Sequence, residues 1–263
     1  MDFNEEKILK MAMTAAEVGV ELFVLDDGWF GKRDNDSTSL GDWKAHKTKL
    51  PSGIDGLGKK INQLGLKFGL WFEPEMISED SDLWRAHPDW HFHAPGRPIS
   101  EQRRQFVLDF GREDIRQEIY SAMATLVKNA PIVYIKWDMN RSLTEVFSQT
   151  LPAHQQQEVF HRYVLGLYDF LEKFTNEFPH VMFENCCSGG GRYDPGMLHY
   201  MPITWTSDTA DAITRLTIHH GTSILYPTST LSAHIATSPY GMTGRIIPFE
   251  TRVNSALFGS GFG

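Results

Sequence analysis

The sequence has few cysteines and fewer basic than acidic residues, and both shortages limit the classes of protein it can belong to. Its two cysteines, Cys186 and Cys187, are adjacent, and a bridge between neighbours closes almost no loop. A disulfide scaffold is therefore excluded, and we expect a cytoplasmic protein in a reducing compartment. With a formal net charge of −8 the chain lacks the basic face that phosphate binding needs, so we expect no nucleic-acid partner.

Long apolar runs and metal-binding motifs are also missing. No run reaches the ~18 apolar residues of a membrane span, so we expect no membrane partner. The eleven histidines occur without an HExxH motif or a paired cysteine spacing, and we expect neither a metal nor another cofactor. The 263 residues, 41% of them hydrophobic, are enough to build one large α/β domain with a sizeable core.

Strand-like apolar runs alternate with helix-like segments, which predicts a parallel α/β sheet. Helices are expected over residues 4–18, 53–64, 112–128, 155–178 and 210–220. The strand-like runs are ELFVLDDGWF, KFGLWFEPEM, IVYIKWDMN, HVMFENCCSGG, PITWTSD, TSILYPTST and VNSALFG. Most of the runs end in polar residues. Such a ring of polar strand ends favours a (β/α)8 TIM barrel over a doubly wound sheet, which places its ligand at a single switch point.

Carboxylates at the strand ends are the main chemical signal. They are Asp26, Asp27, Glu73, Glu75, Asp138 and Asp208. Two carboxylates that flank a glycosidic bond suffice to hydrolyse it, one as nucleophile or base and the other as acid. The alternative is that each acid caps a following helix or turn, which explains a single residue better than it explains six.

Two further strings suggest how such a site is built. Lys136 precedes Asp138 by two residues, so both side chains share one face of a strand, and a neighbouring cation keeps a carboxylate ionised. A structural ion pair is the alternative for Lys136. The glycines of CCSGGGRYD lack the spacing of a phosphate loop and favour a tight turn that lets a ligand approach the backbone.

Eight strings cover nearly the whole chain: LFVLDDGWFG, LPSGIDGL, GLWFEPEM, HPDW, APGRP, YIKWDMNR, ENCCSGGGRYDPGM and WTSDTADAITRL. In this order they resemble glycoside hydrolase family 36, the bacterial and fungal α-galactosidases. A single string would only be suggestive, whereas eight in order are highly specific. The resemblance implies retaining hydrolysis of terminal α-D-galactosyl residues from galacto-oligosaccharides such as melibiose and raffinose, through a covalent galactosyl-aspartate.

The resemblance also implies roles for individual residues. Asp138 in KWDMNR is similar to the family's nucleophile, and Asp208 in WTSD is similar to its acid/base. The residues expected to bind the α-galactoside are Asp26, Asp27, Trp71, Arg103, Lys136, Cys186, Ser188 and Gly189. The match at Arg103 is weaker, because the sequence reads SEQRRQFVLD where the family has a Gly-Arg-Asn core. The adjacent Arg104 is therefore an alternative.

The chain is shorter than members of the family. The resemblance implies that those members have a β-sandwich before the barrel and a C-terminal β domain after it. We expect residues 1–263 to form a single catalytic barrel domain, truncated at both ends relative to the family. It would lack the first strand of the (β/α)8 TIM barrel and both flanking β domains. The resemblance allows a homo-oligomer in the full-length protein.

Two other functions stay open at this point. Plant relatives that resemble raffinose synthases transfer galactose to a sugar acceptor instead of water. A chain without its first strand could also be an inactive fragment that only binds sugar. The motif residues are intact, so a loss of activity would come from the architecture.

Overall fold

Parallel strands alternating with helices make up the chain, of which the computed structural model describes residues 1–100 and 102–263. Contacts divide it into two units, Met1–Val181 and Met182–Gly263. The α/β class with parallel strands, predicted from the alternating pattern, is confirmed in each unit. Within the described residues, no helix has the length and apolar character needed to cross a bilayer.

The first unit contains a parallel sheet of three strands in the order β1-β2-β5, together with a small antiparallel pair, β3 and β4. Its strands are β1 (Leu22–Leu25), β2 (Lys67–Phe72), β3 (Met76–Ile77), β4 (Phe106–Val107) and β5 (Ile132–Trp137). Its helices are α1 (Glu5–Glu17), α2 (Gly53–Gln63), α3 (Asp82–Ala86), α4 (Glu113–Asn129) and α5 (Val159–Glu177), with a 3-10 helix at Ala153–Glu158. The register pairs Leu25 with Leu70 and Trp71 with Lys136, so the carboxyl ends of the three strands lie at one edge.

The second unit also contains parallel strands, in the order β6-β7-β8-β9. The strands are β6 (Met182–Asn185), β7 (Ile203–Trp205), β8 (Leu231–Ala233) and β9 (Gly261–Phe262). The helices are α6 (Pro195–Tyr200), α7 (Ala212–Ser223) and α8 (Phe249–Ala256), with a 3-10 helix at Thr228–Thr230. Asp194 and Asp211 cap α6 and α7, each accepting backbone N–H bonds from the first turn of its helix.

Helical periodicity explains how the long helices attach to the sheet. On α5, the side chains of Tyr163, Leu167, Phe170 and Phe174 recur every three or four residues, and all four are buried. Burying each such side chain stabilises the fold by roughly 1.5–3 kcal/mol. The helices predicted over 4–18, 53–64, 112–128 and 155–178 are confirmed, although 3-10 geometry replaces the start of the last one.

Two of the predicted strands are wrong. VNSALFG lies mostly in α8, which follows Pro248 and buries Ser255 and Ala256 on the side of α7, so its apolar residues follow helical spacing. In TSILYPTST, the helix α7 continues to Ser223 and the 3-10 turn after Pro227 precedes the strand, which begins only at Leu231. Pro227 interrupts the run TSILYPTST, and Pro248 stands directly before α8, because proline is favoured where helical segments begin.

Close packing of α5 gives the first testable prediction. A Cβ atom at Gly166 would overlap the carbonyl oxygen of Phe110, so Gly166→Ala should lower the free energy of unfolding by at least about 2 kcal/mol. Gly221 of α7 is the control, because an added Cβ there meets nothing within 4 Å. Gly221→Ala should leave stability unchanged or raise it by up to about 1 kcal/mol. Denaturant unfolding followed by circular dichroism measures both, and equal effects would contradict the packing argument.

Candidate active site

Each strand of the first unit's sheet ends in residues that the sequence selects as site candidates. Asp26 and Asp27 follow β1, Glu73 follows β2, and Asp138 follows β5. Trp71 lies within β2 and Lys136 within β5, paired in register. Because neighbouring parallel strands share a carboxyl edge, these side chains gather at one place although up to 112 positions separate them in sequence.

Lys136 forms an ion pair with Asp26. Its Nζ atom donates to Asp26 Oδ2 over 2.8 Å, and the Asp26 side chain is 60% exposed. Lys136, expected beside Asp138, thus forms an ion pair with Asp26 that joins β5 to the end of β1. An exposed carboxylate that already has a cationic partner can still accept hydrogen bonds from a bound hydroxyl-rich ligand on its open side.

Asp27 is held by an arginine that the sequence reasoning did not select. Arg33 donates from Nε to Asp27 Oδ1 over 3.0 Å and from Nη2 to Oδ2 over 2.8 Å, which is a bidentate pair. Its remaining Nη1 donates to the carbonyl of Thr38 over 2.7 Å. Arg33 is buried, so the pair fixes the direction of the Asp27 carboxylate. No motif in GKRDND signals this role, because the pairing depends on how the loop after β1 folds back.

Asp138, the predicted nucleophile, is 7% exposed and accepts three hydrogen bonds. Oδ1 accepts from the backbone N–H of Met139 over 2.8 Å. Oδ2 accepts from the indole of Trp71 over 3.2 Å and from the amide of Asn140 over 2.6 Å. All three partners are donors, as a carboxylate anion needs. Trp71, predicted as the aromatic wall of a sugar pocket, thus also contacts the carboxylate directly.

Glu73 and Glu75, the other two strand-end acids of this unit, are fully buried. Glu75 accepts from the indole of Trp137 over 2.7 Å and from the hydroxyl of Tyr163, so it ties β5 to α5. Glu73 accepts from the backbone N–H of Asn140 over 2.5 Å. Burial, and next to it the negative charge of Asp138, raise the pKa of Glu73 to about 8.

Arg103 lies in a turn between the bridged residues Gln102 and Gln105. Its side chain is exposed, its φ is 53°, and in the described part of the chain no hydrogen bond joins it to Asp26, Asp27 or Asp138. Arg104, also in the left-handed region, lines a surface pocket together with Thr38 and Phe106. The choice between the two arginines as a sugar contact therefore stays a prediction.

In the second unit, Asp208 follows β7 and is exposed. Its Oδ1 accepts from the indole of Trp205 over 3.0 Å. The guanidinium of Arg215 lies 3.9 Å above the Trp205 ring and donates to Thr206 Oγ1 over 2.8 Å. The segment that carries Asp208 is thus fixed from one side while the carboxyl group faces outward.

The glycine loop after β6 packs on that same segment. A Cβ atom at Gly189, whose φ is 86°, would lie 2.6 Å from the Cα of Ser207, so only glycine fits. The sequence predicted that these glycines allow a ligand to approach the backbone. The structure adds a second explanation for the glycine at position 189, because the backbone of residues 206–208 packs against it. Cys186 is buried at the end of the strand, and Ser188 is exposed with a φ of 46°.

The comparisons with known proteins agree with the sequence motifs. The family model described as Melibiase matches residues 1–263. This chain belongs to the Melibiase family. The α-galactosidase AgaA of Geobacillus stearothermophilus is 55% identical over 259 residues, which are 98% of this chain and 36% of AgaA. The α-galactosidase Mel36A of Lactobacillus acidophilus is 50% identical, over 98% of this chain and 35% of its own length.

Solved structures extend the similarity to three dimensions. The crystal structure of AgaA, a family 36 α-galactosidase, matches with a TM-score of 0.98 at 54% identity, over 99% of this chain and 36% of AgaA. Variants of AgaA have been crystallised in complex with raffinose and with stachyose, and each matches with a TM-score of 0.97. The resemblance to glycoside hydrolase family 36 is confirmed, and the chain spans little more than a third of the relatives it matches.

Among residues 1–100 and 102–263, no group of three or more His, Cys, Asp or Glu side chains is arranged to hold a metal ion.

Sequence reasoning missed Arg33, Asn140, Gln105 and Trp205 as partners of the site. Asn140 could have been found, because it stands two residues after Asp138 in the string KWDMNR.

The raised pKa of Glu73 predicts how stability depends on pH. In the window between the ordinary carboxyl pKa of 4.5 and about 8, the folded state keeps a proton that the unfolded state has lost. Stability contributed at Glu73 therefore falls as the pH rises through that window. Glu73→Gln has no carboxyl group to titrate and so avoids this loss. The Tm of the variant minus the Tm of the parent should therefore be larger at pH 8 than at pH 5.

Thermal unfolding at several pH values tests this, with Glu118→Gln as the control. Glu118 is an exposed carboxyl on α4, so its substitution should not change the pH dependence. A Tm difference for Glu73→Gln that stays constant from pH 5 to pH 8 would show that Glu73 does not retain its proton in the folded state.

Proposed function

We propose that the protein carrying this chain is a retaining α-galactosidase, with Asp138 as nucleophile and Asp208 as acid/base. The observation that carries the proposal is Asp138 itself, a nearly buried carboxylate at a strand end that three donors hold in place. Family membership and the AgaA complexes with raffinose and stachyose support galacto-oligosaccharides such as melibiose and raffinose as substrates.

In this mechanism, an oxygen of Asp138 attacks the anomeric carbon of the galactosyl unit. Asp208 gives its proton to the leaving glycosidic oxygen, and a galactosyl ester of Asp138 remains. Asp208 then takes a proton from water, and the water oxygen attacks the same carbon while the bond from that carbon to the Asp138 oxygen breaks. Galactose leaves with retained configuration, and the Asp138 carboxylate and the Asp208 acid are restored.

The same proposal gives the remaining predicted residues their tasks. Asp26 and Asp27, each held by a cation, would accept hydrogen bonds from the hydroxyls at positions 4 and 6 of galactose. Trp71, Lys136 and Arg103 would complete the pocket from the first unit. Cys186, Ser188 and Gly189 would lie near the 2-hydroxyl. We keep the expectations of a single barrel domain, a cytoplasmic location and a homo-oligomer as parts of this proposal.

Replacing the proposed nucleophile should abolish turnover. Asp138→Asn keeps the shape of the side chain but cannot form the galactosyl ester, so release of nitrophenol from nitrophenyl α-galactoside should fall at least about a thousandfold. Asp109→Asn is the control, because Asp109 is also buried in the first unit but hydrogen bonds to Ser148 instead of the site. Near-parental turnover in Asp138→Asn would overturn the nucleophile assignment.

Replacing the proposed acid/base should affect substrates unequally. Asp208→Ala removes the proton donor, which matters most when the leaving group is a poor one. Hydrolysis of raffinose should fall by about 10²–10⁴-fold, whereas nitrophenyl α-galactoside should lose clearly less. The two substrates serve as mutual controls in one enzyme preparation. Equal losses on both would count against Asp208 as the acid/base.

A further inference from the structure

Glu73 accepts a hydrogen bond from the backbone of Asn140, whose side chain contacts Asp138, and it has no task in the mechanism above. We propose that Glu73 is a positioning residue for the carboxylate of Asp138, which it holds through Asn140. The inference rests on the proposed function, because it treats Asp138 as the reacting group. It adds Glu73, which lies outside the expected sugar pocket, to the residues that set the rate of the first chemical step.

The connection runs through two short hydrogen bonds. Glu73 Oε1 accepts from the backbone N–H of Asn140 over 2.5 Å, and the side-chain amide of Asn140 donates to Asp138 Oδ2 over 2.6 Å. Glu73 stands at the end of β2 and Asn140 just beyond the end of β5. The bond therefore fixes the chain after β5 against the neighbouring strand. It holds the backbone of Asn140 at the position from which the side chain of this residue reaches Asp138.

A second contact holds Glu73 itself. The side-chain amide of Gln105 lies 3.0 and 3.3 Å from the two carboxyl oxygens of Glu73 when its NH2 group is turned toward them. The backbone carbonyl of Gln105 accepts from Arg141 Nη1 over 2.6 Å, and both Gln105 and Arg141 are buried. Glu73 thus bridges the loop around residue 105 and the loop after β5, and it has little freedom to move.

The charge of Glu73 suits this role. Burial and the neighbouring negative charge of Asp138 raise its pKa to about 8, so near pH 7 Glu73 is mostly neutral. A neutral carboxyl group accepts the Asn140 N–H bond without repelling the anionic Asp138. A glutamine at position 73 resembles this neutral form.

The experiment measures kcat and KM of the complete protein on nitrophenyl α-galactoside. Glu73→Ala should lower kcat by about 10-fold to 100-fold, because small misplacement of a reacting group is costly, while KM changes little. Glu73→Gln should recover most of that loss, since its amide oxygen can accept from Asn140. Asp109→Ala is the control for removal of a buried carboxyl, and its kcat should stay near the parental value.

A double-mutant cycle tests the path through Asn140. If Glu73 acts through Asn140, the losses in kcat of Glu73→Ala and Asn140→Ala will be clearly less than multiplicative in the double variant. Multiplicative losses, or a Glu73→Gln variant as slow as Glu73→Ala, would overturn the inference. Should Glu73→Ala be too unstable to purify, Glu73→Met fills the volume and takes its place in the cycle.

Asp138→Asn separates this inference from the function on which it rests. If Asp138→Asn retains parental turnover, the proposed function itself fails. If Asp138→Asn is inactive while Glu73→Ala matches the Asp109→Ala control, only the positioning role of Glu73 is overturned.

Discussion

Buried carboxyl groups at the ends of strands are the constraint on which the first unit depends. A carboxylate removed from water is costly unless donors replace its hydration, and three acids stand here with almost no exposed surface. Their donors are the indoles of Trp71 and Trp137, the hydroxyl of Tyr163, and the amides of Met139 and Asn140. Since these donors come from β2, from α5, and from β5 and the residues just beyond it, satisfying the acids also fixes how the strands and the helix meet. The same hydrogen bonds therefore stabilise the core of this unit and position its candidate site.

Periodicity predicted most of the fold, because long amphipathic helices and buried parallel strands leave a strong pattern. The helix α5 is an example, with Tyr163, Phe170 and Phe174 on one face. Prediction was wrong near the C-terminus, where VNSALFG and TSILYPTST are short apolar runs. In such runs strand and helix have similar patterns, and the outcome depends on Pro227, Pro248 and packing against α7.

The candidate site could also be predicted in part. Positions at strand ends indicated Asp26, Asp27 and Asp138, since parallel strands must bring their carboxyl ends together. Partners such as Arg33 and Gln105 could not be found, because loops without regular geometry place them. The reason for Gly189 was also hidden, as its neighbour Ser207 lies 18 positions away. Local patterns indicate which side chains reach the edge, while long-range packing decides what holds them there.

Both aspartates proposed for the chemistry accept a hydrogen bond from an indole, Asp138 from Trp71 and Asp208 from Trp205. An indole N–H can donate but has no lone pair with which to accept, unlike imidazole or a hydroxyl group. Neither tryptophan can therefore store a proton or pass one on. The two oxygens that accept these bonds are oriented by neighbours that do not transfer protons. Protons can therefore reach or leave the aspartates only by way of substrate, water or other side chains.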